Sequence, residues 1–329
     1  MSDETSPIPP WHVLDTEQVT RWRHVLDTLT TLLPAGPATV VVDGADGYPA
    51  AFADRLGGFL GDRGRPCARP APGTLTVAGA VLSPAGPDSL TIWLRTPAGP
   101  RRGQPDADVA IDLHDPAWPV IRHIDPRRAD HDGWFLAESR AFFATRAATW
   151  DTKFGDDTAA YAAAIADADI PAGATVLDLG CGTGRALPGL RAAVGPAGTV
   201  LGADSTDQML AAAVTHGRAR HATLLLADAR HLPLAAGSVD TVFAAGVVHH
   251  LPDPGAGLAE IARITRTGGQ LVLFHPSGRA ALAARHGHAL RPDEPMAETP
   301  LRTTLAATGW HLTTYDDPPH RLFARAVRR

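Results

Sequence analysis

The stretch that decides the fold is residues 175–190, which read TVLDLGCGTGRALPGL. Its opening contains the apolar residues Val176, Leu177 and Leu179, which predict a buried parallel strand. Three glycines follow at alternate positions, Gly180, Gly182 and Gly184, and residues 186–190 begin a predicted helix. Strand, glycine turn and helix open a nucleotide-binding α/β unit, because a turn without side chains lets a ligand lie against the backbone.

The details of this turn discriminate between ligands. A dinucleotide fingerprint reads G-x-G-x-x-G, whereas here the third glycine comes one residue early and Arg185 stands where that pattern has a small residue. Asp178 ends the strand. A carboxylate there would repel a pyrophosphate but suits a cationic group, such as the amino group of an amino acid. The turn alone would also fit another kind of α/β enzyme, so residues further along the chain decide.

The second predicted strand, residues 199–203, ends at another acid. Asp204 lies 20 residues beyond Gly184, where a carboxylate can accept both hydroxyls of a ribose. Capping the next helix is the alternative role for an aspartate at this place. Further strands are predicted at residues 221–226, 239–245 and 270–274. Strands that alternate with helices at this spacing indicate a parallel sheet.

A histidine pair follows the strand at 239–245, within the segment GVVHHLPD at residues 246–253. An imidazole can take a proton from an alcohol, phenol or amine, so His249 and His250 are candidate catalytic bases. Adjacent side chains on an extended segment point in opposite directions, and we therefore expect at most one of the two to face the reacting group. A structural role for both is the alternative. No metal site is expected, because the pair cannot easily chelate one ion.

Residues 136–329 resemble the class I S-adenosyl-L-methionine (SAM)-dependent methyltransferases of the small-molecule type. The resemblance is carried by the D-x-G-x-G-x-G motif at 178–184, Asp204, Asp228, the HHLP segment and a predicted terminal hairpin at 310–315 and 321–327. It implies a Rossmann-like seven-stranded sheet with an antiparallel last strand. SAM would be the cofactor, an acid at position 228 would lie beside the adenine, and a small molecule would accept the methyl group.

The resemblance also implies where the cofactor binds. The expected cofactor-binding residues are Asp178, Gly180, Gly182, Gly184, Asp204, Ser205, Asp228, Ala229 and Gly246. A predicted helix at residues 135–151 would form a lid, with Trp150 and Phe154 over the site. Packing in a core is the alternative for these two aromatic residues.

Methyl transfer needs little chemistry from the protein. The sulfonium of SAM is already activated, so the protein mainly supplies position and excludes water. We therefore expect a SAM-dependent methyltransferase. The alternative is a non-catalytic SAM-binding or interaction protein.

The first part of the chain contains another strand, turn and helix. Its turn, GADGYPAA at residues 44–51, can be compared with the phosphate-binding loop G-x-x-x-x-G-K-[ST]. This turn and VAIDLHDP at residues 109–116 resemble the uridine kinase-like P-loop domain. Pro49, Ala50 and Ala51, however, replace the last glycine, the lysine and the hydroxyl residue. A degenerate domain is expected, because no cation would contact the phosphates and no hydroxyl would bind Mg²⁺. Residual nucleotide binding and phosphoryl transfer are the alternatives.

Composition sets the remaining expectations. A chain of 329 residues with 44% hydrophobic residues suggests two domains. The charged segment at 125–132 divides a smaller P-loop-like α/β domain, 1–132, from the methyltransferase domain, 133–329. The net charge of −5 gives no reason to expect nucleic acid, and no apolar run is long enough for a membrane span.

The location is inferred from the first residues and the cysteines. A polar start without a signal-peptide core and only two cysteines favour a cytoplasmic protein, and the rich use of Ala and Arg is typical of a bacterial genome. The oligomeric state is not indicated.

Overall fold

The computed structural model describes residues 13–45, 47–78, 88–96, 107–129, 133–154, 157–286 and 289–329. Two predictions fall on residues outside these ranges. The expected absence of a signal peptide concerns residues 1–12, and part of the predicted domain boundary concerns residues 130–132. The chain divides into two compact units, Met1–Glu138 and Ser139–Arg329, and the predicted division at 132/133 stays a prediction. Within the described ranges no helix is long and apolar enough to cross a membrane.

The described elements of the first unit are α1 (Thr16–Leu32), β1 (Ala38–Asp43), α2 (Tyr48–Gly61), β2 (Cys67–Ala71), β3 (Thr74–Val77), β4 (Ser89–Arg95), β5 (Val109–Asp112) and β6 (Val120–Ile124). Their strands form a six-stranded sheet in the order β2-β3-β1-β4-β5-β6. β1, β4 and β5 are parallel, whereas β3 and β6 run antiparallel to their neighbours. Apolar side chains of α1, α2 and one sheet face form the core, among them Trp22, Phe52, Leu56, Ile92 and Ile111.

The predicted strand, turn and helix at residues 39–60 are confirmed as local structure by β1 and α2. Gly47 begins α2 with φ of +66° and no side-chain cap. The β2–β3 turn packs against this place, because Val42 N donates to Gly73 O at 2.7 Å and a Cβ on Gly73 would lie 3.2 Å from Pro49 Cβ. The likeness of the whole unit to a P-loop domain stays a prediction.

A buried carboxylate joins three elements of the first unit. Glu138 is 1% exposed and lies on α3 (Gly133–Ala144). Its Oε2 accepts a hydrogen bond from Ile121 N at 2.5 Å and pairs with the guanidinium of Arg21, whose Nε donates to Pro119 O at 2.6 Å. Each member of the pair also bonds to a backbone group, so loss of one charge would leave the other buried without its counter-charge.

We expect Glu138→Gln to lower the free energy of unfolding of the first unit by about 3–5 kcal/mol, because Arg21 would remain buried without its counter-charge. Urea unfolding followed by circular dichroism measures the change. The matched control is Glu298→Gln, which breaks the exposed pair with Arg302 and should cost roughly 0.5 kcal/mol or less. Equal losses in the two variants would contradict the account.

The described elements of the second unit follow α3, whose second half belongs to this unit. They are α4 (Trp150–Phe154), α5 (Thr158–Asp167), β7 (Thr175–Leu179), α6 (Leu187–Val194), β8 (Thr199–Asp204), α7 (Asp207–Thr215), β9 (Thr223–Leu226), β10 (Val239–Ala245), α8 (Pro254–Ile264), β11 (Thr265–His275), α9 (Arg279–His286), α10 (Glu298–Ala307), β12 (Trp310–Asp316) and β13 (Leu322–Arg328). Short 3₁₀ turns lie at Ala147–Thr149, Arg218–His221 and Val248–His250.

The second unit contains a seven-stranded sheet in the order β12-β13-β11-β10-β7-β8-β9. The five strands from β11 to β9 are parallel, and β13 is antiparallel to β11 and to β12. Val176 and Leu177 of β7 are both fully buried but belong to different core clusters, so both sheet faces are covered. The predicted Rossmann-like sheet and its terminal hairpin are confirmed.

Gly268 and Gly269 lie inside β11, beside a shift in register, and α8 ends before them at Ile264. One predicted helix of this unit is wrong in its extent. The helix predicted at 135–151 is interrupted after Ala144 by a 3₁₀ turn and resumes as α4. The apolar pattern is continuous through this break, so periodicity alone does not reveal it.

Candidate functional site

The glycine turn after β7 has one open position between two packed ones. Gly180, Gly182 and Gly184 have φ of +67°, +52° and +80°. A Cβ at Gly180 would lie 2.8 Å from the side chain of Val247, and one at Gly184 would lie 2.9 Å from that of Leu187. Within the described part of the chain, a Cβ at Gly182 would meet nothing closer than 4.0 Å. The middle of the turn is therefore the part of the backbone against which a ligand can lie.

Asp178 is an acid buried at the carboxyl end of β7, 1% exposed. Among the described residues no group donates a hydrogen bond to its Oδ2. Burial, together with the nearby charge of Asp204, raises the pKa of Asp178 to about 8. A buried carboxyl group with an unsatisfied oxygen is costly unless a ligand completes it, and an ammonium group would do so.

Asp204 ends β8 and is tied to the same turn. Its Oδ2 accepts from Gly182 N at 2.9 Å and its Oδ1 accepts from Thr206 N at 2.8 Å. Burial raises the pKa of Asp204, although these N–H donors oppose the shift. The residue at the N-cap of α7 is Thr206, not Asp204. Each carboxylate oxygen has a further lone pair, so Asp204 can also accept from ligand hydroxyls.

Asp228 follows β9 and is held by its own neighbour. Both carboxylate oxygens accept from Arg230, at 2.7 Å from Nη2 and 3.0 Å from Nε. Burial alone would raise the pKa of Asp228, but the bonds from Arg230 outweigh it and the pKa is lowered. Asp228 is thus an ionised, half-buried acid, and the adjacent Ala229 is also half-buried. Their predicted roles beside an adenine stay predictions.

The histidine pair does not lie on an extended segment, and the expectation of diverging side chains is wrong. His249 and His250 belong to the 3₁₀ turn Val248–His250, and their ring centroids are only 4.0 Å apart. Consecutive side chains on a 3₁₀ turn are about 120° apart around the axis rather than 180°, and here the two rings lie side by side. Which of them acts as a base stays a prediction.

The two rings nevertheless have different surroundings. His249 is exposed, its Cε1 would be 3.9 Å from a Cβ on Gly246, and its centroid lies 6.2 Å from that of His275. His250 is half-buried with its centroid 5.8 Å from that of Phe143. Gly246, with φ of +69°, directly follows β10 and donates its N–H to Phe274 O. His249 is therefore the more exposed ring and lies beside Gly246 at the end of β10, whereas His250 packs against α3.

The helices before β7 bring aromatic side chains to this place. Phe143 lies edge-on to Trp150, with centroids 5.6 Å apart, as well as to His250. Trp150 is half-buried, and the side chain of Phe154 lies outside the described residues. Arg140 Nε donates to Ser205 O at 2.7 Å, which joins α3 to the loop after Asp204. The predicted lid role of Trp150 stays a prediction.

A charged network beside the glycine turn was not foreseen from the sequence. Asp151 of α4 accepts from Thr183 Oγ1 at 2.7 Å, from Arg185 Nε at 3.0 Å and from Arg218 Nη1 at 2.6 Å. Arg185 also pairs with Asp157 at 2.5 Å. The unusual Arg185 in the glycine motif is the feature of the sequence that points to this network. The neighbouring residues, however, do not indicate that its acidic partners lie some 30 residues earlier.

Comparison with protein families identifies part of this unit. Residues 177–273, from β7 to β11, match the family model described as Methyltransferase domain. This stretch includes Asp178, the glycine turn and the histidine pair, so the candidate site lies within the part of the chain that is similar to a methyltransferase domain.

Characterised and uncharacterised relatives are similar to this chain over about a third of its length. The chain is 39% identical over 127 residues to an uncharacterized 37.1 kDa protein in transposon TN4556 of Streptomyces fradiae, covering 37% of this chain and 36% of that one. It is 37% identical over 109 residues to methyltransferase GfsG of Streptomyces halstedii, covering 32% and 38%. It is 32% identical over 112 residues to demethylmenaquinone methyltransferase of Shouchella clausii, covering 33% and 48%. The chain spans less than half the length of these relatives.

Solved structures cover a larger share of the chain at lower identity. A SAM-dependent methyltransferase from Aquifex aeolicus is 21% identical with a TM-score of 0.47, covering 56% of this chain and 98% of that one. Magnesium protoporphyrin IX methyltransferase from Synechocystis, with bound S-adenosylhomocysteine, is 19% identical with a TM-score of 0.46, covering 59% and 100%.

Proposed function

We propose that this protein transfers a methyl group from SAM to a small-molecule acceptor, with the site at the carboxyl ends of β7, β8 and β10. The observation that carries the proposal is the buried Asp178, whose Oδ2 has no donor among the described residues and lies beneath a turn that is open at Gly182. The relative named demethylmenaquinone methyltransferase is named for a small molecule, which supports an acceptor of that size.

The residues present fit the cofactor. Asp178 would bind the ammonium of its amino-acid part, and Asp204 would accept its ribose hydroxyls on the lone pairs that Gly182 and Thr206 leave open. Asp228 and Ala229 would lie beside the adenine, and Ser205 and Gly246 would complete the contact. When bound, SAM supplies an activated methyl group on a sulfonium.

The chain's own part in the reaction is position and proton removal. Phe143 and Trp150 would exclude water from the end of β10. His249 would take the proton that an acceptor hydroxyl or amine loses as its bond to the methyl carbon forms. His250, packed on Phe143, would hold the turn in place. A nucleophile that needs no deprotonation would react through proximity alone.

We propose that the first unit is a degenerate P-loop-like domain that catalyses no reaction. We also propose that the boundary between the two domains lies between residues 132 and 133. Ala50 and Ala51 lie in the first turn and a half of α2, where a working loop has its lysine and hydroxyl. The backbone of the β2–β3 turn also lies against Pro49 at this end of α2. Alanine at these two positions supplies neither the cation nor the hydroxyl ligand of Mg²⁺ that phosphoryl transfer uses.

We therefore expect the purified full chain not to phosphorylate uridine or another nucleoside with ATP and Mg²⁺. Thin-layer separation of radiolabelled nucleosides measures the product. Mg²⁺-dependent phosphorylation by the wild type that is retained in Asp204→Ala would contradict the proposal, because that variant alters only the second unit.

The proposed reaction is tested by its products. The protein is incubated with SAM and a panel of phenols, alcohols and amines, and mass spectrometry follows S-adenosylhomocysteine and a gain of one methyl group on the acceptor. Both products should appear together with at least one acceptor class. Tight binding of SAM without any product would favour the non-catalytic SAM-binding protein instead.

A further inference from the structure

We propose that Asp151 is a positioning residue that latches helix α4 onto the glycine turn and thereby sets how long the cofactor stays bound. This inference rests on the proposed function, because it concerns the site where SAM would bind. The latch consists of four described side chains, Asp151, Thr183, Arg185 and Arg218.

Both oxygens of Asp151 are used in the latch. Oδ1 accepts from Thr183 Oγ1 at 2.7 Å and from Arg185 Nε at 3.0 Å. Oδ2 lies 2.6 Å from Arg218 Nη1 and 3.2 Å from His216 Nδ1. Burial alone would raise the pKa of Asp151, but the bonds from Thr183, Arg185 and Arg218 outweigh it, so the pKa is lowered and the residue stays ionised.

The latch forms hydrogen bonds with the glycine turn itself. Thr183 lies between Gly182 and Gly184, and both of its ends are held: the hydroxyl by Asp151 and the carbonyl by Arg218 Nη1 at 2.9 Å. Gly182 is the open position of the turn. Whatever holds Thr183 therefore fixes the backbone against which a ligand lies, since a single peptide separates the two residues.

The latch is also connected to the aromatic residues on the side of the site where the acceptor would bind. Asp151 directly follows Trp150, whose ring packs on Phe143, and Phe143 packs in turn on His250. Arg185 strengthens this end, because its side chain is only 10% exposed and it also pairs with Asp157 at 2.5 Å. Partly buried, charge-assisted bonds of this kind are stronger than exposed ion pairs. Asp151 thus joins the cofactor turn to the aromatic side of the site.

The variant Asp151→Asn tests the latch. Asparagine can still accept from Thr183 but offers no charge to Arg185 and Arg218. We expect S-adenosylhomocysteine to dissociate about tenfold faster than from the wild type, as measured by stopped-flow fluorescence and calorimetry. The matched control is Asp240→Asn, which removes a half-buried carboxylate that accepts from Thr175 N at 2.7 Å at the opposite end of the sheet. This control should leave the rate within twofold.

A second measurement uses the wild type, so it does not depend on how a variant folds. Hydrogen exchange of the α4 amides should slow when S-adenosylhomocysteine is added, because ligand and latch hold the same turn. A purely structural contact would leave α4 equally protected with and without the ligand. Equal dissociation rates for Asp151→Asn and wild type, or α4 exchange that ignores the ligand, would overturn the inference. A wild type that binds no S-adenosylhomocysteine would overturn the proposed function itself.

Discussion

Replacing His249 with alanine is expected to lower turnover by about 10²–10⁴, the usual contribution of a general base. The exposed ring of His249 stands at the end of β10 beside Gly246, whereas His250 packs on Phe143. Binding of S-adenosylhomocysteine should barely change, because Asp178 and Asp204 remain. Steady-state turnover, together with calorimetry for the cofactor product, measures both effects.

The control for this prediction is His250→Ala. It removes a packing contact, so it should lower stability more than it lowers turnover. A loss of turnover confined to His250→Ala would assign the base to the other ring. If neither variant loses more than a few-fold while both stay folded, catalysis rests on proximity alone.

The second large effect is expected from Asp178→Asn, which should weaken binding of S-adenosylhomocysteine by about 2–5 kcal/mol, the cost of removing one partner of a buried charge pair. Calorimetry measures this loss. Asp240→Asn again serves as the control, because it removes a carboxylate at the other end of the sheet. Unchanged affinity in Asp178→Asn would show that no cationic group of the ligand meets this residue.

The same substitution changes the pH dependence of stability. The pKa of Asp178 is about 8 in the folded protein and 3.8 without perturbation, so between these pH values the folded state holds the extra proton. Stability of the ligand-free protein should therefore fall as pH rises through this window, by at most about 1.4 kcal/mol per pH unit from this residue. Asp178→Asn should flatten that slope in urea unfolding measured from pH 5 to 8. An unchanged slope would contradict the shift.

The sequence predicts the parts of the site that are local in the chain. The glycine turn, the acid before it and Asp204 at the end of β8 follow from spacing, because the carboxyl ends of neighbouring parallel strands meet at one sheet edge. The terminal hairpin follows from the turn residues between two apolar runs. These features depend on backbone conformation within a few residues, which residue types reveal directly.

The parts that the sequence does not predict depend on distant partners. Asp151 and Arg185 are far apart in the chain, and a single sequence does not indicate that they pair. The 3₁₀ turn at Val248–His250 contains no glycine or proline, so nothing marks it as helical rather than extended. The sequence also does not show that both carboxylate oxygens of Asp228 are bonded to Arg230, although Arg230 is only two residues away.

Calorimetric titration of S-adenosylhomocysteine into the wild-type protein and into Asp204→Ala tests the cofactor site most directly. We expect micromolar-range binding to the wild type and a loss of about 1.5–3 kcal/mol in the variant, the scale of hydrogen bonds to a charged group. Absence of binding to the wild type, or equal binding by both proteins, would contradict the assignment of the glycine turn and Asp204 as the cofactor site.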